Sequence, residues 1–389
     1  MTTPVATYSR LVPSLFGKDA MSKMVNIAKD SGKKKAFIIC DQGVMMSGGA
    51  ERVSNAFKEG GLETFVYDDV QPDPSDEVVD KAGDKAKEVG ADVIVGVGGG
   101  SSMDTAKGVS VLMCNPGSIV KYMEENGAKD YKLDVPVYLI PTAAGTGSEG
   151  SPMCVVHELA SDIKKTVIRY ADLAVLDPTM TFTCPASVTV NSGLDALAHA
   201  VEGLTSNIYN PWSTTLSEEA VRIVANNLET CVREPENYEA RAKMLYAANA
   251  AGDGLANLSV HVGHCFGHEL GMQFHLNHGY ACGIALPEVI EFSKSVSADA
   301  VRDIAECIGI KIPAGLSSDY VAHWVSDWMR DLMKRLEVPS LKDRGITREQ
   351  TVGIAQAAID HCPFLGATPG GLTVEQMQEF CGNVYDNYQ

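Results

Sequence analysis

Residues 95–107 read Val-Gly-Val-Gly-Gly-Gly-Ser-Ser-Met-Asp-Thr-Ala-Lys, and this segment indicates the fold class. It begins as an apolar strand, passes through small residues, and continues into a helix. Glycines let backbone N–H groups and a helix N-terminus approach a phosphate without a Cβ in the way. The stretch therefore predicts a pyrophosphate site, while a tight turn without a ligand is the alternative interpretation.

Two further features of the first half favour a dinucleotide. Asp41 follows an apolar strand, where its carboxylate would accept bonds from an adenosine ribose and repel a 2′-phosphate, which favours NAD over NADP. Aspartate at a strand end is also a common turn residue. Residues 141–150 form a second loop of small and hydroxyl-bearing residues after another strand. The order differs from the usual fingerprint, in which the glycines follow the first strand and the acid follows the second.

The first half of the chain alternates short apolar runs with amphipathic helical stretches, which is the pattern of a parallel sheet flanked by helices. The predicted strands are 36–40, 64–67, 92–97, 137–140 and 173–176, and the predicted helices are 19–30, 50–59, 76–88 and 102–113. From about Pro185 onward, helical segments such as 238–258 and 320–336 replace the strands. We therefore predict an α/β nucleotide-binding domain over residues 1–187 and an all-α metal-binding and catalytic domain over residues 188–389.

Asp195 and His199 are four residues apart in apolar, helix-forming sequence, so both project from one face of a helix. Asn191 or Ser192 is the expected N-cap of that helix. An unpaired Asp195 on the apolar stripe would be costly to bury, and a divalent cation removes this cost. A simple helix pair between the carboxylate and the imidazole is the alternative interpretation.

Five of the nine histidines lie between residues 261 and 279, which makes chance clustering a poor explanation. His264 and His268 are again four apart on one helical face, and His278 follows ten residues later. One carboxylate with two or three imidazoles suits Fe(II) or Zn(II) better than Ca(II) or Mg(II), which prefer oxygen ligands. The ligand types do not distinguish iron from zinc.

The composition predicts a soluble enzyme, with 45% hydrophobic residues and a formal charge of −18. So acidic a chain argues against nucleic acid and anionic membranes as partners. Neither a signal peptide nor a membrane span is evident, so we expect a cytoplasmic protein. The ten cysteines lack a Cys-x-x-Cys pair, which predicts reduced thiols. Cys265 and Cys282 are close to the histidines, and we leave both out of the predicted metal site.

Taken together, these motifs resemble the iron-containing, or type III, alcohol dehydrogenase family. The resemblance runs nearly end to end through Phe16-Gly17, Asp41, Pro72-Asp73-Pro74, 98–107, 142–149, 193–202 and 264–287. It implies the dehydroquinate synthase-like fold, an active site between an α/β domain and an all-α domain, and a homodimer or larger homo-oligomer.

The resemblance also implies roles for individual residues. The implied metal ligands are Asp195, His199, His264 and His278, with Fe(II) as the metal and Zn(II) as the alternative, and His268 lies beside the nicotinamide. The implied contacts to NAD(H) are Asp41, Gly98, Gly99, Gly100, Ser101, Ser102, Asp104, Thr142, Ser148 and Lys165. In such a site the metal acts as a Lewis acid on an alcohol or aldehyde oxygen, and the nicotinamide exchanges hydride at the same carbon. His268 would relay the proton.

One departure from the family bears on the substrate. His261 stands where the family mostly has glycine, one turn before His264 and so on nearly the same helical face. A polar group there predicts a small polar or anionic aldehyde or alcohol, such as a sulfonated one, unless His261 is hydrogen-bonded elsewhere. The competing hypotheses are a glycerol dehydrogenase-like polyol oxidoreductase, a lyase resembling dehydroquinate synthase, and a non-catalytic metal or nucleotide sensor.

Overall fold

Residues 93–98 form an inner strand of a parallel sheet in the computed structural model, which describes residues 4–9, 12–128 and 130–389. The strands of the sheet are β1 Ser14–Phe16, β2 Lys35–Asp41, β3 Glu63–Val70, β4 Val93–Gly98, β5 Val137–Pro141 and β8 Leu173–Leu176. They pair in parallel in the order β1-β8-β5-β4-β2-β3. All five predicted strands and the predicted parallel pairing are confirmed.

Helices cover both faces of this sheet. They are α1 Ala20–Asp30, α2 Gln42–Met46, α3 Gly49–Glu59, α4 Asp76–Val89 and α5 Gly100–Leu112. Side chains alternate between the faces of a strand, so Phe37 and Ile39 of β2 pack with α4 and α5, while Ile38 and Cys40 pack with α1 and α3. Burial on both faces explains why these strands are continuous apolar runs in the sequence.

An antiparallel hairpin was not predicted. Its strands are β6 Met153–Glu158 and β7 Ile163–Ile168, which pair from Met153 with Ile168 to Glu158 with Ile163. Buried residues alternate along β6 with partly exposed ones. This two-residue period was the available signal, but the strands are short and carry polar residues, so their pattern is weak.

The rest of the chain is mainly helical. Its helices are α6 Ala186–Thr205, α7 Pro211–Arg233, α8 Tyr238–Leu258, α9 Val262–Phe274, α10 His278–Ser293, α11 Ala298–Cys307, α12 Ser318–Arg335, α13 Arg348–Gly353, α14 Ala355–Asp360 and α15 Val374–Asn387. One compact unit contains residues 12–184 with Glu236–Asn249, and the other contains residues 4–9, Pro185–Pro235 and Ala250–Gln389. The boundary between residues 187 and 188 stays a prediction.

Close packing of α10 on α6 and α9 brings three helices together. A Cβ added at Gly279 would lie 2.2 Å from the carbonyl oxygen of Asn191, and one at Gly267 would lie 2.6 Å from Cys282 Sγ. Both glycines are therefore required by the short distance between the helices rather than by backbone conformation. The consequence is that side chains from α6, α9 and the start of α10 converge.

Two local predictions are wrong. The helix expected to be capped by Asn191 or Ser192 begins earlier, at Ala186, because the residues after Pro185 continue the same helical turn. Cys265 and Cys362 form a disulfide, so these two thiols are not free as predicted, whereas the other eight cysteines are. A spacing of 97 residues gives no local pattern from which this pair was predictable. Among the described residues, none of the helices is long and apolar enough to span a membrane.

Candidate active site

The predicted metal ligands lie together in the helical unit. Asp195 and His199 project from α6, His264 projects from α9, and His278 opens α10. Asp195 Oδ1 is 3.5 Å from His278 Nε2 and 3.9 Å from His199 Nε2. The rings of His199 and His264 stack with their centroids 4.8 Å apart. Helical spacing of four residues thus places both members of the α6 pair on one face, as predicted.

Three polar atoms of this cluster are buried without a hydrogen-bond partner among the described residues. They are Asp195 Oδ1, His199 Nδ1 and His264 Nε2. Burying such atoms unpaired is unfavourable, and a cation removes the penalty by accepting their lone pairs. Carboxylate and imidazole are the ligand types that iron and zinc accept. The residues present therefore fit a transition metal.

Cys282 is closer to this cluster than the sequence indicated. The ligand atoms of Asp195, His264, His278 and Cys282 all lie within 4.8 Å of one another, a compact set that does not include His199. Cys282 Sγ lies 3.7 Å from both ring nitrogens of His278, one turn earlier on α10. The signal in the sequence was the four-residue spacing of these two residues. His199 and Cys282 are thus competing candidates for one ligand position.

The cluster shifts the pKa values of its members. Burial, together with repulsion from His264 and His278, lowers the pKa of His199 to about 4, against the attraction of Asp195. Burial raises the pKa of Cys282, but the same two histidines outweigh it and hold that pKa below its usual value. Metal binding requires neutral imidazole and ionised thiolate, so these two shifts favour the ligand form. Against the effect of burial, Cys282 and a neighbouring carboxylate raise the pKa values of His264 and His278, whose protons a metal would displace.

His261 lies before α9, as its N-cap, rather than within the helix. It does not continue the helical face of His264, and its side chain is fully buried. Its Nε2 lies 2.8 Å from the Thr205 hydroxyl of α6, and burial lowers its pKa. This placement is that of a residue bonded to α6, and it does not support the predicted substrate contact.

His268 is partly exposed beside the cluster. Its ring centroid lies 5.1 Å from that of His278 and 5.6 Å from that of Phe364. Phe364 has no motif around it, so the sequence did not indicate that it borders this site. Its position against His268 places an apolar surface next to the predicted proton-relay group.

The predicted cofactor loops meet at the carboxyl ends of β4 and β5 in the α/β unit. The backbone N–H of Thr142 donates to the Gly98 carbonyl at 3.0 Å, and a Cβ added at Gly100 would lie 2.9 Å from Thr146. Gly98 has a φ of +150°, which favours glycine at this turn. Ligands in open parallel sheets bind at this edge.

Asp41 also belongs to this edge. One carboxylate oxygen accepts from the backbone N–H of Val44 at 2.9 Å, which caps α2, and the other lies 3.4 Å from the Ser102 hydroxyl. The structure therefore brings the predicted ribose acid next to the start of α5, where the glycine loop ends. The remaining predicted loop residue Ser101 contacts the backbone N–H of Asp73 through its hydroxyl at 3.3 Å.

Asp104 and Ser148 connect the two loops by a buried hydrogen bond of 2.6 Å. The Lys107 ammonium, which is fully buried, donates to Ser148 at 2.7 Å and to the Met153 carbonyl at 2.6 Å. The other oxygen of Asp104 accepts from the backbone N–H of Val155 at 3.1 Å. These contacts join α5 to the loop before β6. Lys107 was part of the quoted motif but was not assigned to the site.

Lys165 lies on β7, and its contacts differ from those of the loops. Its ammonium donates to Asn126 at 2.7 Å and to Glu158 at 2.5 Å. Hydrogen bonds from Lys165, Ser161 and Asn126 lower the pKa of Glu158 to about 2. The structure therefore places Lys165 in an ion pair of the hairpin, and its predicted contact with NAD(H) stays a prediction.

A sheet with two loops at one edge and a helical unit with a buried ligand cluster define a metal-dependent, nucleotide-linked class of enzyme. The model of the iron-containing alcohol dehydrogenase family matches residues 13–178, and that of the family's C-terminal domain matches residues 189–385. The chain belongs to the iron-containing alcohol dehydrogenase family.

Individual relatives agree with this family. The chain is 32% identical to sulfoacetaldehyde reductase of Bilophila wadsworthia, over 93% of this chain and 95% of that protein. It is 31% identical to NAD-dependent methanol dehydrogenase of Bacillus methanolicus, over 95% and 97%. Among solved structures, sulfoacetaldehyde reductase from Bifidobacterium kashiwanohense in complex with NAD+ superimposes with a TM-score of 0.88 at 26% identity, covering 99% of this chain and 100% of that one. The structure of a 1,3-propanediol oxidoreductase gives 0.91 at 27%, covering 97% and 100%.

These findings confirm the predicted family, fold class and enzyme class. The chain is an oxidoreductase of the alcohol dehydrogenase class, with iron and NAD(H) as its cofactors.

Proposed function

We propose that this chain interconverts a small primary alcohol and its aldehyde with NAD(H), and that the substrate is polar or anionic, with sulfonated aldehydes as the leading class. The observation that carries the oxidoreductase proposal is the trio of buried polar atoms on α6 and α9 that have no hydrogen-bond partner among the described residues. The similarity to two sulfoacetaldehyde reductases supports the substrate class. His261 no longer supports it, because its side chain is buried against Thr205.

In this proposal Asp195, His199, His264 and His278 hold Fe(II), with Zn(II) as the alternative metal. The bound metal supplies Lewis-acid activation of the alcohol or aldehyde oxygen. The three helices keep the ligand atoms fixed and exclude water, because Asp195, His199 and His264 are buried. We assign His199 rather than Cys282 as the fourth metal ligand, because Asp195 and His199 on α6 then both bind the metal.

The loops at the sheet edge would bind the dinucleotide. Backbone N–H groups of Gly98, Gly99 and Gly100 would hold the pyrophosphate, aided by the positive N-terminus of α5. Asp41 would accept from the ribose hydroxyls, in line with NAD rather than NADP. The cluster of Asp104, Ser148 and Lys107 would hold the two loops in register, and Asp104 and Ser148 stay among the proposed contacts to the cofactor.

His268 would move the proton. Its ring lies beside His278 and is partly exposed, so it is able to exchange a proton with solvent or with a ribose hydroxyl. Buried His199, whose pKa is lowered to about 4, is unsuited to that role near neutral pH.

The test is NADH and NADPH oxidation by protein loaded anaerobically with Fe(II) or Zn(II), using neutral aldehydes paired with sulfonated, phosphorylated and carboxylated ones of similar length. We expect the highest kcat/KM with NADH and a sulfonated aldehyde. Equal kcat/KM for neutral and anionic partners would reject the anionic class and retain the oxidoreductase. Bound metal and NADH without turnover of any aldehyde would favour the sensor hypothesis.

The proposal also covers the oligomeric state, the location and the partners of the enzyme. We propose a homodimer or larger homo-oligomer in the cytoplasm, acting on a small molecule and without nucleic acid or membrane partners. The acidic charge of −18 supports the exclusion of nucleic acid. Analytical ultracentrifugation of the purified protein and fractionation of the cells that make it would test these parts.

A further inference from the structure

Glu202 is a fully buried carboxylate behind the ligand cluster, and the sequence motifs did not assign it a role. It lies on α6, seven residues after Asp195, so it is two turns along the same helical face. Its Oε1 is 2.5 Å from His264 Nδ1. Its Oε2 accepts from the backbone N–H groups of His261, Gly263 and His264 at 2.8, 3.0 and 3.3 Å.

The two oxygens of Glu202 therefore act on different parts of α9. Oε2 caps the N-terminus of the helix, where three backbone N–H groups converge, and this fixes the start of α9 relative to α6. A Cβ at Gly263 would lie 2.7 Å from Glu202 Oε1, so glycine makes room for the carboxylate. Oε1 is left for the imidazole of His264, one residue further on.

The hydrogen bond to Nδ1 determines which nitrogen of His264 is available. An ionised carboxylate only accepts, so His264 keeps a proton on Nδ1, and Nε2 is the nitrogen that is left to offer a lone pair to a metal. Nε2 is one of the buried atoms without a partner among the described residues. A histidine that donates one ring N–H to a carboxylate and offers the other nitrogen is the common arrangement at protein metal sites.

His261 does not compete for the carboxylate. The Thr205 hydroxyl donates to the Val201 carbonyl at 2.9 Å, so it accepts from His261 Nε2–H at 2.8 Å. His261 Nδ1 is then unprotonated and has no proton to offer to Glu202, whose Oε2 lies 4.0 Å away. Glu202 is therefore directed at His264 and at the helix N-terminus.

We propose that Glu202 is a positioning residue for the metal: it sets the tautomer and ring orientation of His264 and fixes α9 so that Nε2 faces Asp195. This inference rests on the proposed role of His264 as a ligand. The carboxylate does not contact substrate or nicotinamide in this role, and its effect reaches the reaction only through His264.

The experiment compares wild-type protein with Glu202→Gln and Glu288→Gln for affinity toward Zn(II), measured by competition with a chelating dye. Glu288 is the matched control, because it is a buried carboxylate on α10 that pairs with Arg330 at 2.7 Å and lies outside the cluster. We expect Glu202→Gln to weaken Zn(II) affinity by about 10- to 100-fold, the usual effect of losing a carboxylate behind a histidine ligand. Glu288→Gln should match wild type, and all three proteins should bind NADH equally.

The outcomes separate this inference from the proposed function. Wild-type protein that fails to bind Zn(II) would reject the metal site itself. Wild-type binding with equal affinity in Glu202→Gln would overturn the positioning role alone. If Glu202→Gln does not fold, nitrogen NMR of wild-type protein labelled at histidine decides: a proton on His264 Nδ1 in the zinc-bound state supports the inference, and a proton on Nε2 overturns it.

Discussion

Asp195 is the one carboxylate of the predicted ligand set, and its buried Oδ1 lacks a hydrogen-bond partner among the described residues. Substituting Asp195→Asn keeps the shape and removes the negative charge. We expect metal affinity to fall by about 100-fold, since loss of one charged ligand exceeds the effect of losing a supporting hydrogen bond. Metal content per chain after dialysis against Zn(II) would measure this, with Asp303→Asn on α11 as control. Full metal occupancy in Asp195→Asn would contradict the proposed ligand set.

His199 and Cys282 are competing candidates for one ligand position of the metal site. If His199 is the ligand, protein loaded with Co(II) should lack the intense near-ultraviolet band of a thiolate ligand. Cys282→Ser should then retain metal affinity within about threefold of wild type, whereas His199→Ala should lower metal affinity by about 100-fold. A thiolate band that disappears in Cys282→Ser would instead place sulfur in the site.

Sequence reasoning identified the chemistry of this cluster but not its supporting residues. Asp195 and His199 are four residues apart, as are His264 and His268, and these residue types are rare enough for the helical spacing to be recognised. Glu202 and Lys107 are ordinary charged residues in sequence, and only burial distinguishes them from solvated ones. His261 shows the opposite error: the sequence pattern predicted that it lies within the helix of His264, but that helix begins at Val262 and His261 is its N-cap.

Asp41 caps the helix α2 and also lies at the sheet edge where the cofactor loops meet. Substituting Asp41→Ser keeps a capping oxygen and removes the charge that would repel a 2′-phosphate. We expect kcat/KM with NADPH to rise by about tenfold relative to NADH. Asp41→Ala is the comparison that also loses the cap, at a cost of about 1 kcal/mol in the free energy of unfolding. Unchanged coenzyme preference in Asp41→Ser would reject the assignment of Asp41 to the ribose.

The junction between α5 and the loop before β6 depends on the buried pair of Asp104 and Lys107. Their charges lie 3.6 Å apart. Lys107→Met would leave the carboxylate of Asp104 without its cation and should lower the free energy of unfolding by about 3–5 kcal/mol. The double variant Asp104→Asn with Lys107→Met should cost less than the sum of the single changes, because the uncompensated charge is gone.

Urea unfolding of the four proteins in this cycle measures the coupling between the two side chains. Lys81→Met is the control, because Lys81 forms an ion pair with Asp69 on the surface and its loss should leave the unfolding midpoint unchanged. Additive effects of the Asp104 and Lys107 changes would show that the pair does not act as one unit.

Elements were predictable where their hydrophobic pattern is long or continuous. The central strands are buried on both faces and were recognised as apolar runs, and α4 begins after Ser75, whose hydroxyl caps it. The hairpin of β6 and β7 was missed because most of its positions are partly or fully exposed. The early start of α6 was missed because residues with weak helix preference continue a helix when packing stabilises them.

The ligand cluster belongs to one compact unit of the chain and the cofactor loops belong to the other. A ligand stabilises the elements that hold it, by about 4 kcal/mol at a free concentration a thousand times its dissociation constant. Adding Zn(II) should therefore slow amide hydrogen exchange in α6, α9 and α10. Adding NADH without metal should instead slow exchange at the start of α5 and in residues 142–149.

Mass spectrometry of peptides after timed hydrogen exchange distinguishes the two responses, because the peptides of each unit are separate in sequence. The Asp195→Asn protein is the internal control, since it should lose the response to Zn(II) and keep the response to NADH. Protection of β2 and β4 by Zn(II) alone would contradict a metal site confined to the helices. If Asp195→Asn loses the slowed exchange with NADH as well as with Zn(II), the binding of metal and the binding of NADH are energetically coupled. An intact metal cluster would then be required for NADH to order the cofactor loops.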